Sequence, residues 1–214
     1  MDMTRGRFIA LEGGEGTGKS TQARLLAEAL STRGIECVVT REPGGTEGAE
    51  AIRRLLLDPP GDGWGPRAEA LLFAAARSDH VEKLILPALE RGAWVVSDRF
   101  LDSSRAYQGG AGGIGDQAVR TLHDIGSGGL RPDLTVLIEV EPATIAERLA
   151  DRDGNRSDAI GGRSAQYHAD VAASFKRFAA EDPGGFAVVD GEGTPDEVHS
   201  RILEAIEPLI GGEL

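Results

Sequence analysis

A single cysteine in 214 residues leaves no partner for an intrachain disulfide. Cys37 lies in the apolar run Cys37-Val38-Val39, which reads as a buried thiol without chemistry. Histidine is scarce as well. His80, His123, His168 and His199 are scattered with no metal-ligand spacing, so no structural zinc is expected. No apolar run approaches the roughly 20 residues needed to cross a bilayer, and the opening Met1–Phe8 lacks the apolar segment of a signal peptide. The expectation is a soluble cytoplasmic chain with no membrane partner. An excess of basic charge is missing too. The formal net charge is -12, a surface that a phosphate backbone would repel, which argues against a nucleic-acid partner. Acidity does not exclude a small phosphate ligand, which needs only a few local Arg, Lys and backbone N–H groups.

What is present is a chain sized for one domain, 1–214, with 40% apolar residues in short runs divided by Gly, Pro and charge. Arg7–Glu12, Glu36–Arg41, Ala93–Asp98, Leu134–Glu139 and Phe186–Asp190 read as short strands. Helical patterns begin at Lys19 and stop at Gly34, then recur from Glu47 to about Leu57 and from Arg67 to Arg91, with a bend expected at Pro87. Further helices are expected over Asp116–Ile125, Ala143–Ala150 after Pro142, Ala165–Glu181 and Pro195–Ile210. Asp58–Pro66 is loop, Gly109–Gly115 reads as a flexible stretch, and Asp151–Ser164 is polar and irregular. Strands alternating with helices imply an α/β fold with a parallel sheet covered on both faces. There is no internal repeat and no interdomain linker.

Gly13-Gly14-Glu15-Gly16-Thr17-Gly18-Lys19-Ser20 matches G-x-x-x-x-G-K-[ST], with a strand before it and a helix after, as that motif requires. The glycines let successive N–H groups converge on one anion, and the helix N-terminus adds its dipole. Lys19 would reach the β- and γ-phosphates of ATP, and the Ser20 hydroxyl would ligate Mg²⁺. Asp98 ends an apolar strand at the expected ligand-binding edge of the sheet, where its carboxylate would hold magnesium directly or through water. Arg99, beside it, is a planar clamp for a phosphate. The loop itself does not choose among kinases, ATPases and GTPases.

Beyond the loop, the chain resembles the thymidylate kinase family. The stretches Glu12–Thr21, Thr40–Thr46, Leu71–Val81 and Ser97–Gly109 carry the resemblance, in order, and Arg131–Val140 is similar to the family's fourth strand. The resemblance implies a P-loop NTPase fold with a five-stranded parallel sheet and a mobile lid, a homodimer, and phosphorylation of thymidine monophosphate by ATP with Mg²⁺. It implies that Thr21 belongs to the ATP site. Glu15 would face the acceptor sugar. Arg41 would belong to the acceptor phosphate region, and Pro43 would mark a tight backbone bend. Phe73 would stack on the base and Arg77 would bond a base carbonyl; as residues i and i+4 they share a helix face. Arg99 would hold the monophosphate, with Ser103, Tyr107 and Gln108 completing the pocket.

Family members differ in the source of the catalytic arginine. With Glu15-Gly16-Thr17 inside the loop, this chain resembles those that supply it from the lid, about 151–164, so Arg148, Arg152, Arg156 and Arg163 are the candidates. Arg156 is the first of these for the catalytic role, although Asn155-Arg156-Ser157-Asp158 departs from the usual pattern, and Arg148 would instead stack on adenine. Two alternatives stay open: another nucleoside monophosphate or deoxynucleoside kinase, and a P-loop switch module that binds nucleotide to control a partner.

Overall fold

The computed structural model describes residues 5–153 and 159–211, with backbone only for 151–153. Five strands, β1 (Phe8–Glu12), β2 (Cys37–Arg41), β3 (Trp94–Asp98), β4 (Leu134–Glu139) and β5 (Phe186–Asp190), form one parallel sheet in the order β2-β3-β1-β4-β5. The chain leaves β1 for the β2 edge, returns through β3, and then continues on the other side of β1. That reversal opens a crevice beyond the carboxyl ends of β1 and β3, where doubly wound sheets bind ligands. The register sets Leu11 beside Asp98, so the Gly-rich loop and the end of β3 emerge side by side.

Alternation along β1 divides the core. Ile9 and Leu11 pack with Leu26 and Leu30 of α1 (Lys19–Thr32) and Ile202 and Ile206 of α9 (Pro195–Ile210). Phe8 and Ala10 face the opposite layer, with Val81, Ile85, Leu89 and Phe100. A third cluster joins Leu137 and Tyr107 to Phe175 and Phe178 of α8 (Ala165–Glu181). Helix starts follow their local chemistry. Thr46 caps α2 (Glu47–Leu57), Ser164 caps α8, and Thr194 with Glu197 forms a reciprocal capping box on α9. Cys37 is half-buried, and burial pushes its thiol pKa up to about 12, so it stays unreactive at neutral pH.

Three sequence expectations change. The helix expected over Arg67–Arg91 is α3 (Pro66–His80), a π-helical turn over Val81–Ile85, and α4 (Leu86–Glu90). The Leu86 N–H bonds the Val81 carbonyl, so the widened turn falls just before Pro87, which has no N–H to continue an ordinary helical ladder. The Gly109–Gly115 stretch is also more ordered than expected. After α5 (Leu101–Ser104), a second π-helical segment spans Arg105–Ala111 and buries Arg105, Ala106, Tyr107, Gln108 and Gly109. A Cβ on Gly112 would sit 2.7 Å from the Gln108 carbonyl oxygen and 2.8 Å from that of Tyr107. Glycine there permits close backbone approach instead of conferring flexibility. The remaining helices are α6 (Asp116–Ser127) and α7 (Pro142–Asp153), the latter reaching into the segment expected to be irregular. Among the described residues no helix is long and apolar enough to cross a membrane.

Candidate active site

The loop after β1 is shaped by backbone that L side chains resist. Gly13 has φ +143°, and a Cβ there would meet the Ile138 carbonyl oxygen at 2.6 Å. Helix α1 then starts behind Gly18 with no side-chain cap and no acidic residue in its first turn. Its N–H groups and dipole are thus available to an anion. Lys19 folds back over the loop, donating from Nζ to the carbonyls of Gly13 (3.3 Å) and Gly14 (2.5 Å) and to Thr17 Oγ1 (3.3 Å). At the loop's exit Ser20 donates from Oγ directly to the Asp98 carboxylate.

Arg99 takes a left-handed backbone, φ +73°, the one such non-glycine among the described residues. Its Nη1 donates to the Gly13 carbonyl (3.0 Å) and to Ser103 Oγ (3.0 Å), its Nη2 donates to the Tyr107 hydroxyl (3.3 Å), and the guanidinium lies over the Tyr107 ring at 5.1 Å. Behind it is Glu12, fully buried at the end of β1. Glu12 accepts the N–H groups of Phe100 (2.9 Å) and Ser103 (2.9 Å) and the Ser103 hydroxyl (2.6 Å), so one carboxylate fixes the turn that aims Arg99.

One cleft of about 550 Å³ collects most of the residues singled out by sequence: Glu15, Gly16, Gly18, Lys19, Ser20, Thr21, Arg41, Pro43, Phe73, Arg77, Asp98, Arg99, Ser103, Tyr107, Gln108 and Arg148. Gly13, Gly14 and Thr17 do not line it but accept the amine of Lys19, which does. Arg156 lies outside the described residues, as does the side chain of Arg152. Arg163, another candidate from the same segment, does not line the cleft. It is committed to Glu69 in an ion pair and stacks on Tyr167 at 4.6 Å. Arg148 lines the cleft and donates from Nη2 to the Gly191 carbonyl at 3.1 Å. Ile160, at the described end of the expected lid, forms another part of the wall.

Arg77 is buried, and the bonds described for it use one edge of the guanidinium. Its Nε donates to Glu42 Oε2 at 2.7 Å, and its Nη2 donates to Ser104 Oγ at 2.7 Å and the Phe100 carbonyl at 3.2 Å. Glu42, which precedes a cis bond to Pro43, also accepts from His80 Nδ1 at 3.1 Å. A carboxylate only accepts, so His80 carries its proton on Nδ1, and in the neutral ring Nε2 accepts from the Thr40 hydroxyl at 2.7 Å. Arg41 is exposed and pairs with Glu50 at 3.1 Å. Glu12, Glu42, Arg53, Glu69 and Ser104 were not singled out by sequence. Arg53, held by the Pro43 carbonyl at 2.7 Å, adds a cation to the cleft wall. The Glu in Arg-Glu-Pro-Gly-Gly was the one available signal for Glu42; the others carry none.

The charges interact strongly. Burial, followed by the charge of Asp102, raises the Glu12 pKa to about 7 against the lowering effects of Arg99 and the hydrogen bonds from Ser103 and Phe100. Burial, reinforced by Arg99, lowers Lys19 to about 7, although Asp98, Glu12 and Glu15 pull the other way. Burial opposes the charge on Arg99, yet Tyr107, Asp98, Glu12 and Glu15 hold its pKa above the ordinary value. A phosphate chain bound in the loop would add negative charge beside Lys19 and favour its protonated form. If nucleoside triphosphate binds at this loop, proton uptake on binding is expected at pH 8 and should shrink as the pH falls below about 7. Calorimetry in buffers of different ionisation enthalpy reads this uptake. Zero uptake at pH 8 would mean that Lys19 is already charged in the free protein.

Comparison with known proteins gives a consistent neighbourhood. The family model described as Thymidylate kinase matches residues 11–202. A thymidylate kinase from Rhizorhabdus wittichii is 56% identical over 205 residues, 96% of this chain and 99% of that protein. One from Chromohalobacter salexigens is 46% identical, covering 99% of this chain and 96% of its own length. The crystal structure of thymidylate kinase from Ehrlichia chaffeensis superimposes with a TM-score of 0.78 at 31% identity, covering 94% of this chain and 99% of that one.

Proposed function

The chain belongs to the thymidylate kinase family, and from that premise we propose that it transfers the γ-phosphoryl group of ATP to thymidine monophosphate, giving ADP and thymidine diphosphate. The observation that carries this reading is the single cleft joining a phosphate loop to an aromatic and amide-lined recess, with Arg99 between them. A phosphate oxygen of the acceptor attacks the γ-phosphorus, and the bond to the bridging oxygen breaks, leaving that oxygen on ADP. The attacking oxygen is already ionised, so no general base is needed, and positioning with charge neutralisation supplies the catalysis. Lys19 and the α1 N-terminus hold the donor phosphates, and Arg99 holds the acceptor phosphate. Phe73 stacks on the base, with Arg77 and Gln108 at its polar edge; Glu15 faces the sugar. Arg41, Pro43, Ser103 and Tyr107 complete the acceptor side. Thr21 and Arg148 belong to the ATP side, Arg148 against adenine, and Arg156 supplies the lid cation.

The direct contact between Ser20 and Asp98 supports a Mg²⁺ site, because it sets a hydroxyl and a carboxylate oxygen together at the phosphate loop. When bound there, Mg²⁺ would draw charge from the β- and γ-phosphate oxygens. Ser20 and Asp98 would hold it, directly or through water. We also place the protein in the cytoplasm as a homodimer. Support for a dimer comes from Leu55 of α2, Leu71 of α3 and Ile125 of α6, which stand 43%, 56% and 80% exposed on helices that pack side by side.

The test is ATP- and Mg²⁺-dependent diphosphate formation across nucleosides and nucleoside monophosphates, compared as kcat/KM. Thymidine monophosphate should lead the panel. Preference for an unphosphorylated nucleoside would displace Arg99 from its role, and tight ATP binding with no acceptor turnover would point to a switch module.

A further inference from the structure

Glu69 stands in the first turn of α3, 7% exposed, with both carboxylate oxygens engaged. Oε1 accepts Gln108 Nε2 at 2.9 Å, and Oε2 accepts Arg163 Nη2. Arg163 is itself fixed by donating to the Tyr167 hydroxyl at 2.6 Å, and that hydroxyl donates to the Tyr107 carbonyl at 2.8 Å. Glu69 is therefore held from two sides. Gln108 lines the cleft, is 2% exposed, and leaves its Oε1 shielded from water with no hydrogen-bond partner among the described residues.

An amide is ambivalent, since a half-turn exchanges its donors for its acceptor. A carboxylate is not. Paired with Arg163 it only accepts, so Gln108 must direct its NH₂ to Glu69, and the carbonyl oxygen is the end left over. A buried acceptor without a partner is unfavourable until a donor meets it. We propose that Glu69 is a specificity-determining positioning residue, fixing the Gln108 amide so that its oxygen selects bases with a ring N–H. Thymine and uracil carry that donor at N3, whereas the corresponding nitrogen of cytosine is an acceptor and meets the oxygen with repulsion. The inference rests on the acceptor site proposed above and extends it to a residue that need not touch the base.

Glu69→Gln tests it, because a glutamine at 69 can donate or accept and so frees the Gln108 amide to turn. Dissociation constants and kcat/KM are measured for the thymidine, deoxyuridine and deoxycytidine monophosphates. The preference of the first two over the third should fall at least about tenfold, with the KM for ATP unchanged. Glu69→Asp, still an obligatory acceptor, should keep the preference. Gln108→Leu, lacking the amide, should lose it, and gives the same readout should the Glu69→Gln protein not fold. Equal losses for all three nucleotides in Glu69→Gln and Gln108→Leu would overturn the proposal and leave the kinase reading standing. Failure of the wild-type protein to act on any of the three would overturn both.

Discussion

Replacing Lys19 by methionine is expected to lower kcat by about a thousandfold while leaving the fold intact. The side chain is buried, and the bonds described for its amine are to Gly13, Gly14 and Thr17 within its own loop. Those bonds reach no other element among the described residues. Methionine matches its length and removes a desolvated amine whose pKa burial has already lowered to about 7, so thermal stability should hold or rise slightly. What is lost is the positive charge against the donor phosphates as negative charge shifts towards the leaving oxygen. The KM for the acceptor should barely move, since the proposed acceptor recess lies around Arg77 and Arg99. A variant with kcat within tenfold of wild type would transfer the main electrostatic role elsewhere in the cleft.

Arg77→Met is expected to have the largest effect on stability, roughly 3–5 kcal/mol, because it leaves Glu42 buried without its cation. For a chain of this size that is a drop in Tm of about 6–20 °C. Burial alone would raise the Glu42 pKa, but the charge of Arg77 and the hydrogen bond from His80 outweigh it and hold it below the ordinary carboxylate value. The sign follows. A depressed folded-state pKa contributes stability that is present above the unfolded value, near 4.5, and is lost as acid protonates Glu42 in the folded protein. The gap between Arg77→Met and wild type should therefore narrow as the pH falls below that value. Adding Glu42→Gln to Arg77→Met should recover part of the loss, since a neutral amide replaces the stranded charge. Calorimetric melting of the two variants across pH measures both effects. If the single variant melts within two degrees of wild type, the pair is an ornament of the pocket and not part of its frame.

The parts legible in the sequence are those with local signatures. The five strands announce themselves as short apolar runs, and the phosphate loop as glycine spacing. Asp98 is found because it ends such a run. Glu12 and Glu69 were not legible, and Glu42 showed only as part of Arg-Glu-Pro-Gly-Gly, because a buried carboxylate is defined by its partner and these partners are remote. Glu12 binds Ser103, Glu42 binds Arg77, and Glu69 binds Gln108 and Arg163. The two π-helical segments were hidden for a similar reason. A run of ordinary helix formers looks the same in either ladder, and the glycines after Gln108 look mobile until the packed backbone beside them is known. Composition likewise could not separate Arg163, tied to Glu69, from Arg148 in the cleft.

Arg99 shows how the demands on this molecule diverge. A left-handed backbone at a residue with a Cβ costs about 1–2 kcal/mol, which glycine would not incur. A redesign that weighed backbone strain alone would thus be drawn to remove the side chain proposed to grip the acceptor phosphate, together with its bonds to Gly13, Ser103 and Tyr107. Thermostabilising redesign of this chain should accordingly hold position 99 fixed and seek its gains at the exposed ends of the helices.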